Sequence, residues 1–187
     1  MGLSQVHGVD VVNVTEPWLV GQGPRADSMV TTVPGLALGV ITADCAPVLF
    51  AAQREGVIGA AHAGWRGAAS GVLEATVEAM RELGAEHIIA VIGPCIRQPS
   101  YEVGNDMREA VLLQDDRACR FFADGKRPEH FQFDLAGFCA ARLHRAGVAT
   151  HVIDADTLAD DERFFSHRRR TLAGGGKIGH QMSAITL

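Results

Sequence analysis

The chain lacks most of the features that mark a special class. Its 187 residues hold only four cysteines, Cys45, Cys95, Cys119 and Cys139, too few and too scattered for a disulfide-built scaffold. Met1 to Gly8 has no charged start followed by an apolar stretch, so no secretory signal is read there. The thiols are expected to be reduced and the protein cytoplasmic. No apolar run approaches the ~20 residues that span a bilayer, and no membrane partner is expected. Positive charge is not in excess. Lys and Arg number 17 against 22 Asp and Glu, a formal charge of −5, which argues against bulk attraction to nucleic acid. No repeat, low-complexity tract or linker divides residues 1–187. With 47% apolar and 21% charged residues, the chain reads as one globular domain able to bury a real core.

The pattern alternates strand-like and helix-like segments. Val9–Val14, Gly35–Thr42, Val48–Ala52, Val57–Ala61, His87–Ile92 and His151–Ala155 are apolar or β-branched runs stopped by polar or turn residues, and are expected to be strands. Val72, Thr76, Met80 and Leu83 recur at three- and four-residue spacing, which predicts one helix over Ala68–Leu83 ended by Gly84. Asp134 is a good N-cap for a second helix, with Leu135, Phe138, Cys139, Leu143 and Ala146 on one face and Gly147 beyond it. Asn105–Leu113 predicts a shorter helix. Asp115–Gln132 shows little periodicity and reads as an irregular surface excursion. The expected class is α/β (α+β), a single domain with mixed sheets surrounded by helices.

Three residues carry the chemistry: His7, Cys45 and His62. Two imidazoles and a thiolate suit a borderline divalent ion, and three protein ligands with one open position form the catalytic rather than the structural zinc pattern. His62 follows a buried strand and precedes the Gly64-Trp65-Arg66-Gly67 turn into a helix, the place where open α/β folds set active sites. Arg66 beside a helix N-terminus reads as a phosphate or carboxylate contact. Asp44 is a candidate base or an acceptor for a ligand histidine N–H. Phe164-Phe165-Ser166-His167-Arg168-Arg169 is either a solvated edge or an anion site built on Arg168 or Arg169 with Gly174–Gly176. Cys95 reads as core or wall and Cys139 as packing. The long separations between the three ligands match no compact zinc-finger spacing.

Five segments occur in one order: Gln5-Val6-His7-Gly8; Thr42-Ala43-Asp44-Cys45-Ala46-Pro47-Val48; His62-Ala63-Gly64-Trp65-Arg66-Gly67; Gly93-Pro94-Cys95-Ile96 with Tyr101-Glu102-Val103; and Phe164-Phe165-Ser166-His167-Arg168-Arg169. Together they resemble the family first called multicopper polyphenol oxidoreductases or laccase-like proteins, also described as purine nucleoside phosphorylases and as peptidoglycan editing factor. The resemblance implies an α/β fold related to a toxin-type cysteine deamidase. It implies a metal on His7, Cys45 and His62, taken as zinc, with copper for the oxidase activity. It implies phosphorolysis of adenosine, inosine, guanosine and methylthioadenosine with inorganic phosphate as co-substrate, and adenosine deamination. It also implies a further segment before Gln5. Two positions depart from the pattern: Pro99-Ser100 precedes Tyr101 where relatives often have cysteine, and Gly179-His180-Gln181 stands where they tend to have Gly-Arg-Gln.

The leading expectation is therefore a zinc enzyme acting on purine nucleosides, with Cys45, His62 and Asp44 catalytic and Arg66, Arg168 and Arg169 contacting substrate. The alternatives are copper oxidase chemistry on the same ligands, a cysteine hydrolase of peptidoglycan-precursor editing with Cys45 as nucleophile and His62 as base, and a metal-stabilised binding module without turnover. If one of the three ligands is displaced, His7, so near the start of the sequence, is the one expected to be.

Overall fold

All seven residues of the strand Val57–Ala63 are buried, and the other elements are arranged around it. The computed structural model describes residues 1–187. Its strands are β1 (Val11–Asn13), β2 (Ser28–Thr31), β3 (Ala37–Thr42), β4 (Ala46–Ala52), β5 (Val57–Ala63), β6 (Ile89–Ile92), β7 (Glu102–Gly104), β8 (Phe122–Asp124), β9 (His130–Phe133), β10 (Ala149–Val152) and β11 (Gln181–Thr186). The main sheet runs β1-β2-β5-β4-β6-β10. It is antiparallel at its centre and gains a parallel strand at each edge, β1 on β2 and β10 on β6. The structure is thus a mixed α/β domain, as the patterning implies.

A strand can be buried on both faces only if something covers each. Side chains alternate along β5. Val57, Ala61 and Ala63 enter the larger core, with the helices. Ile58 and Ala60 enter a smaller core with Leu38 and Val40 of β3. The strand pair β3–β11, antiparallel from Gln181↔Thr42 to Thr186↔Ala37, is therefore a second layer over that face. By the same alternation His62 points toward the β3 side. The two layers that sandwich β5 are what bring the end of β3 and the end of β5 together.

The helices are α1 (Trp65–Ser70), α2 (Val72–Glu82), α3 (Asn105–Gln114), α4 (Leu135–Arg145) and α5 (His167–Leu172). The single helix expected over Ala68–Leu83 is two. Gly71 adopts φ +107°, a left-handed conformation that ends α1 and restarts the chain as α2. α4 follows the sequence pattern closely: the Asp134 carboxylate accepts from the Gly137 N–H at 2.9 Å, and Leu135, Phe138, Cys139 and Leu143 are buried. The stretch expected to be an irregular excursion holds β8 and β9. These join β7 in a small antiparallel sheet, where Phe122 stacks on Phe133 at 4.5 Å between ring centroids. No helix is long and apolar enough to cross a membrane, and all four cysteines are free thiols.

Candidate metal centre and its cavity

His7, Cys45 and His62 converge. Each offers one ligand atom, and these atoms lie within 4.8 Å of one another. His62 is the last residue of β5 on the β3 side and is almost fully buried. Its Nδ1 pairs with Asp27 Oδ1 at 2.7 Å, which leaves Nε2 for the site. Cys45 sits in the turn between β3 and β4, where Asp44 takes φ +87°. That left-handed residue reverses the chain and presents the sulfur beside His62, whose register partner on β4 is Pro47.

His7 is not displaced. The Gln5 side chain pairs with the backbone of Ile41 through both its atoms, Nε2 to the carbonyl at 2.8 Å and Oε1 from the N–H at 2.9 Å. It thereby extends the β3 edge and anchors the segment. The Val6, His7 and Gly8 N–H groups donate to the Asp27 carboxylate. His7 Nε2 lies 3.8 Å from Cys45 Sγ, and its ring meets that of His62 edge to face at 4.7 Å between centroids. Two metal bonds of about 2.3 Å to sulfur and 2.0 Å to nitrogen at a tetrahedral angle span about 3.5 Å, so small adjustments would let this set close on a zinc ion. Gly64 makes the close approach possible: a Cβ there would stand 2.9 Å from His7 Cδ2 and 3.0 Å from Cys45 Sγ.

The electrostatics agree with the donor set. Burial alone would lower the His62 pKa, yet its hydrogen bond to Asp27 and the nearby Cys45 sulfur outweigh that and raise it to about 9. Burial would likewise push Cys45 up, but the pull of His62 and His7 brings it down to about 7. Cys45 is therefore a thiolate for much of its time near neutrality, the form that binds metal and attacks electrophiles. Cys95, by contrast, is fully buried in the core, where burial pushes its thiol up to about 12.

The three residues form part of the wall of a cavity of about 450 Å³, within the size range of small-molecule sites. Arg66, Tyr101, His167, Arg168 and His180 also line it. The Arg66 guanidinium lies over the Trp65 ring, 4.4 Å from its centroid. α1 has only six residues, so few peptide dipoles add up at its start, and the expected anion contact rests on Arg66 rather than on the helix. Arg168 sits 5.4 Å over Tyr101 while donating to the Glu102 carbonyl. Tyr101 was legible only within a motif; burial pushes its hydroxyl up, so it faces the cavity as a neutral group.

The structure departs from the sequence expectations at Asp44, at Arg169 and at the run Gly174–Gly176. Asp44 is not the acceptor for a ligand histidine. Its carboxylate takes hydrogen bonds from Thr157 Oγ1, Ser166 Oγ and the Arg168 N–H, which staples the later part of the chain to the Cys45 turn. The histidine partner is Asp27, a residue that carried no motif. Arg169 is not placed to contact substrate either. Its guanidinium donates to the carbonyls of Phe164, Thr157 and Leu158, so its role is to hold that loop. The run Gly174–Gly176 lies in left-handed conformations outside the residues that line the cavity.

A family model described as multi-copper polyphenol oxidoreductase laccase matches residues 1–187. Among curated proteins, a purine nucleoside phosphorylase of Xylella fastidiosa strain Temecula1 is 42% identical over 92% of this chain and 68% of its own length. A purine nucleoside phosphorylase of Rickettsia conorii is 40% identical over 89% of this chain and 69% of its own. The Escherichia coli K12 protein YfiH, named in the same way, is 38% identical over 92% and 69%. Among solved structures, a Neisseria meningitidis protein of the DUF152 family superposes with a TM-score of 0.87 at 35% identity, covering 100% of this chain and 74% of that one. YlmD from Geobacillus stearothermophilus gives 0.85 at 28% identity, covering 98% and 72%.

Proposed function

This chain belongs to the multi-copper polyphenol oxidoreductase laccase family, and we propose that it acts as a zinc-dependent purine nucleoside phosphorylase that also deaminates adenosine. The observation that carries the reading is the juxtaposition of a His/Cys/His set with Arg66 and Arg168 on the walls of one nucleoside-sized cavity. Relatives named purine nucleoside phosphorylase at 38–42% identity support the reaction class. Adenosine, inosine, guanosine and methylthioadenosine are the proposed substrates, with inorganic phosphate.

In phosphorolysis a phosphate oxygen bonds to the ribose anomeric carbon, the bond from that carbon to the purine nitrogen breaks, and the base leaves with a proton. Arg66 would draw the phosphate dianion and, stacked on Trp65, holds its charge at the cavity wall. Arg168, fixed by the Glu102 carbonyl, adds a second positive charge on the same wall. Holding phosphate and nucleoside together converts an encounter into an oriented reaction. The neutral Tyr101 hydroxyl is available to the base or ribose. A zinc ion held by His7, Cys45 and His62 would supply a Lewis acid for a substrate or water in its fourth position.

The ligand set also bears on the oxidase alternative. Multi-copper oxidation needs several ions. The other carboxylate and histidine group, Glu55, Glu86 and His87, lacks sulfur and is largely exposed, an arrangement foreign to copper–thiolate chemistry. We therefore place single-zinc chemistry ahead of copper. One observation supports a second reading, the cysteine hydrolase: Cys45, His62 and Asp27 stand as thiol, base and orienting carboxylate. Activity that survives chelation of all metal but not thiol alkylation would move the assignment there.

The test is release of hypoxanthine from inosine. Zinc-loaded protein should release it only when phosphate is present. Zinc-loaded protein that releases none, or releases it equally without phosphate, removes the phosphorylase reading.

A further inference from the structure

We propose that Asp27 is a positioning residue of the metal centre, one buried carboxylate that holds the ring of His62 and the backbone of His7 ready for the ion. This rests on reading His7, Cys45 and His62 as metal ligands.

Asp27 is fully buried, immediately before β2. A carboxylate in such a place is costly unless its lone pairs are used. An ionised carboxylate has about four acceptor positions, and four donors reach this one. Oδ1 takes the His62 ring at 2.7 Å and the His7 N–H at 2.9 Å. Oδ2 takes the Gly8 N–H at 2.7 Å and the Val6 N–H at 3.1 Å. The Asp27 carbonyl also accepts the His62 N–H at 2.7 Å, one register step beyond the Ser28↔Ala61 pair of β2 and β5. No acceptor capacity remains for any other partner.

Each bond does something specific to a ligand. The ring bond requires a proton on His62 Nδ1, which turns Nε2 toward the ligand cluster and fixes the ring plane, so that Nε2 becomes a donor once the ion displaces its proton. The three backbone bonds wrap Val6, His7 and Gly8 around the carboxylate as a nest. His7 there takes φ +61°, a conformation a non-glycine residue adopts at a cost of about 1 kcal/mol. The nest is what holds it there, since the His7 ring is exposed and gains little from packing. The same residue therefore sets both histidines, one through the ring and one through the chain, although their positions in sequence are far apart.

Asp27→Asn tests this, because its amide presents N–H groups to two of the four donors whichever way it turns. Zinc affinity, from competition with a chromophoric chelator, should fall about 10–100-fold. In zinc-free protein the Val6, His7 and Gly8 amides should exchange slowly in the wild type and fast in Asp27→Asn, while the β4 and β5 amides keep their protection. A purely structural role predicts loss of protection throughout the main sheet instead. A second measurement needs no variant: the wild-type His62 ring should show a slowly exchanging, downfield Nδ1–H in a nitrogen-edited proton spectrum. Asp27→Asn that binds zinc as tightly as the wild type overturns the proposal, and so does a wild type lacking that ring proton. A wild type that binds no zinc overturns the metal reading instead. The two failures are distinguishable, because amide protection and the ring proton are measured without zinc.

Discussion

Gly64→Ala should damage the metal centre while sparing the fold. Gly64 has φ −70° and ψ 165°, which alanine adopts without strain, so the backbone raises no objection. The objection comes from space. The new Cβ would stand 2.9 Å from His7 Cδ2 and 3.0 Å from Cys45 Sγ, against the ~3.5–4.0 Å of comfortable carbon contacts. Cys45 is held by the turn before β4, and the His7 backbone is held by Asp27. In the absence of metal, the exposed His7 ring can swing outward and relieve the crowding. With an ion bound it cannot, because its Nε2 must stay near Cys45. Overpacking of this kind costs about 1–3 kcal/mol, and placed on the bound state it is a loss of about 5–150-fold in zinc affinity. Chelator competition measures that loss, and urea unfolding of zinc-free protein measures the fold. An unchanged zinc affinity would refute the geometry, and a large drop in zinc-free stability would show that the crowding falls on folding instead.

The two arginines of the corrected assignment should separate cleanly. Arg66→Ala is expected to raise KM for phosphate about tenfold with no change in the unfolding midpoint. Arg169→Ala, which strips donors from three carbonyls, should lower stability by about 2–4 kcal/mol as read by urea unfolding. Reversal of that pattern would return Arg169 to the substrate site. Thr157→Val removes one donor from buried Asp44 and should cost about 1–3 kcal/mol in the same assay. A neutral result would show that Asp44 finds another partner. Zinc affinity should rise with pH, because the ion displaces protons. Below about 7 both Cys45 and His62 must release one, and between about 7 and 9 only His62 must. A tenfold gain per proton per unit then gives a slope near ~2 that falls to near ~1. A flat profile from pH 6 to 9 in chelator competition would exclude these groups as ligands.

The candidate ligands were legible because each sits in a segment with no structural need for its side chain. The α4 pattern was legible because Asp134 caps it and its apolar residues keep helical spacing. Other features were not. Asp27 lies between Ala26 and Ser28 with no flanking signal, and only the folded register sets it opposite His62. Gly71 reads as one tolerated glycine inside a helical pattern, and no flanking residue marks the left-handed conformation in which it ends α1. The strands β8 and β9 have three and four residues, too short for alternation to stand out, and they are held by Phe122 and Phe133 meeting across the ladder. Arg168 and Arg169 are adjacent and alike in sequence. The fold sends one to the cavity wall and the other to three backbone carbonyls, a division that depends on α5 and on the Asp44 staple.

The most direct measurement is metal content of the wild type beside Cys45→Ala, with inosine turnover on the same samples. About one zinc per chain and phosphate-dependent turnover are expected in the wild type, with both lost together in the variant. Turnover retained by Cys45→Ala, or full turnover by metal-depleted wild type, would contradict it.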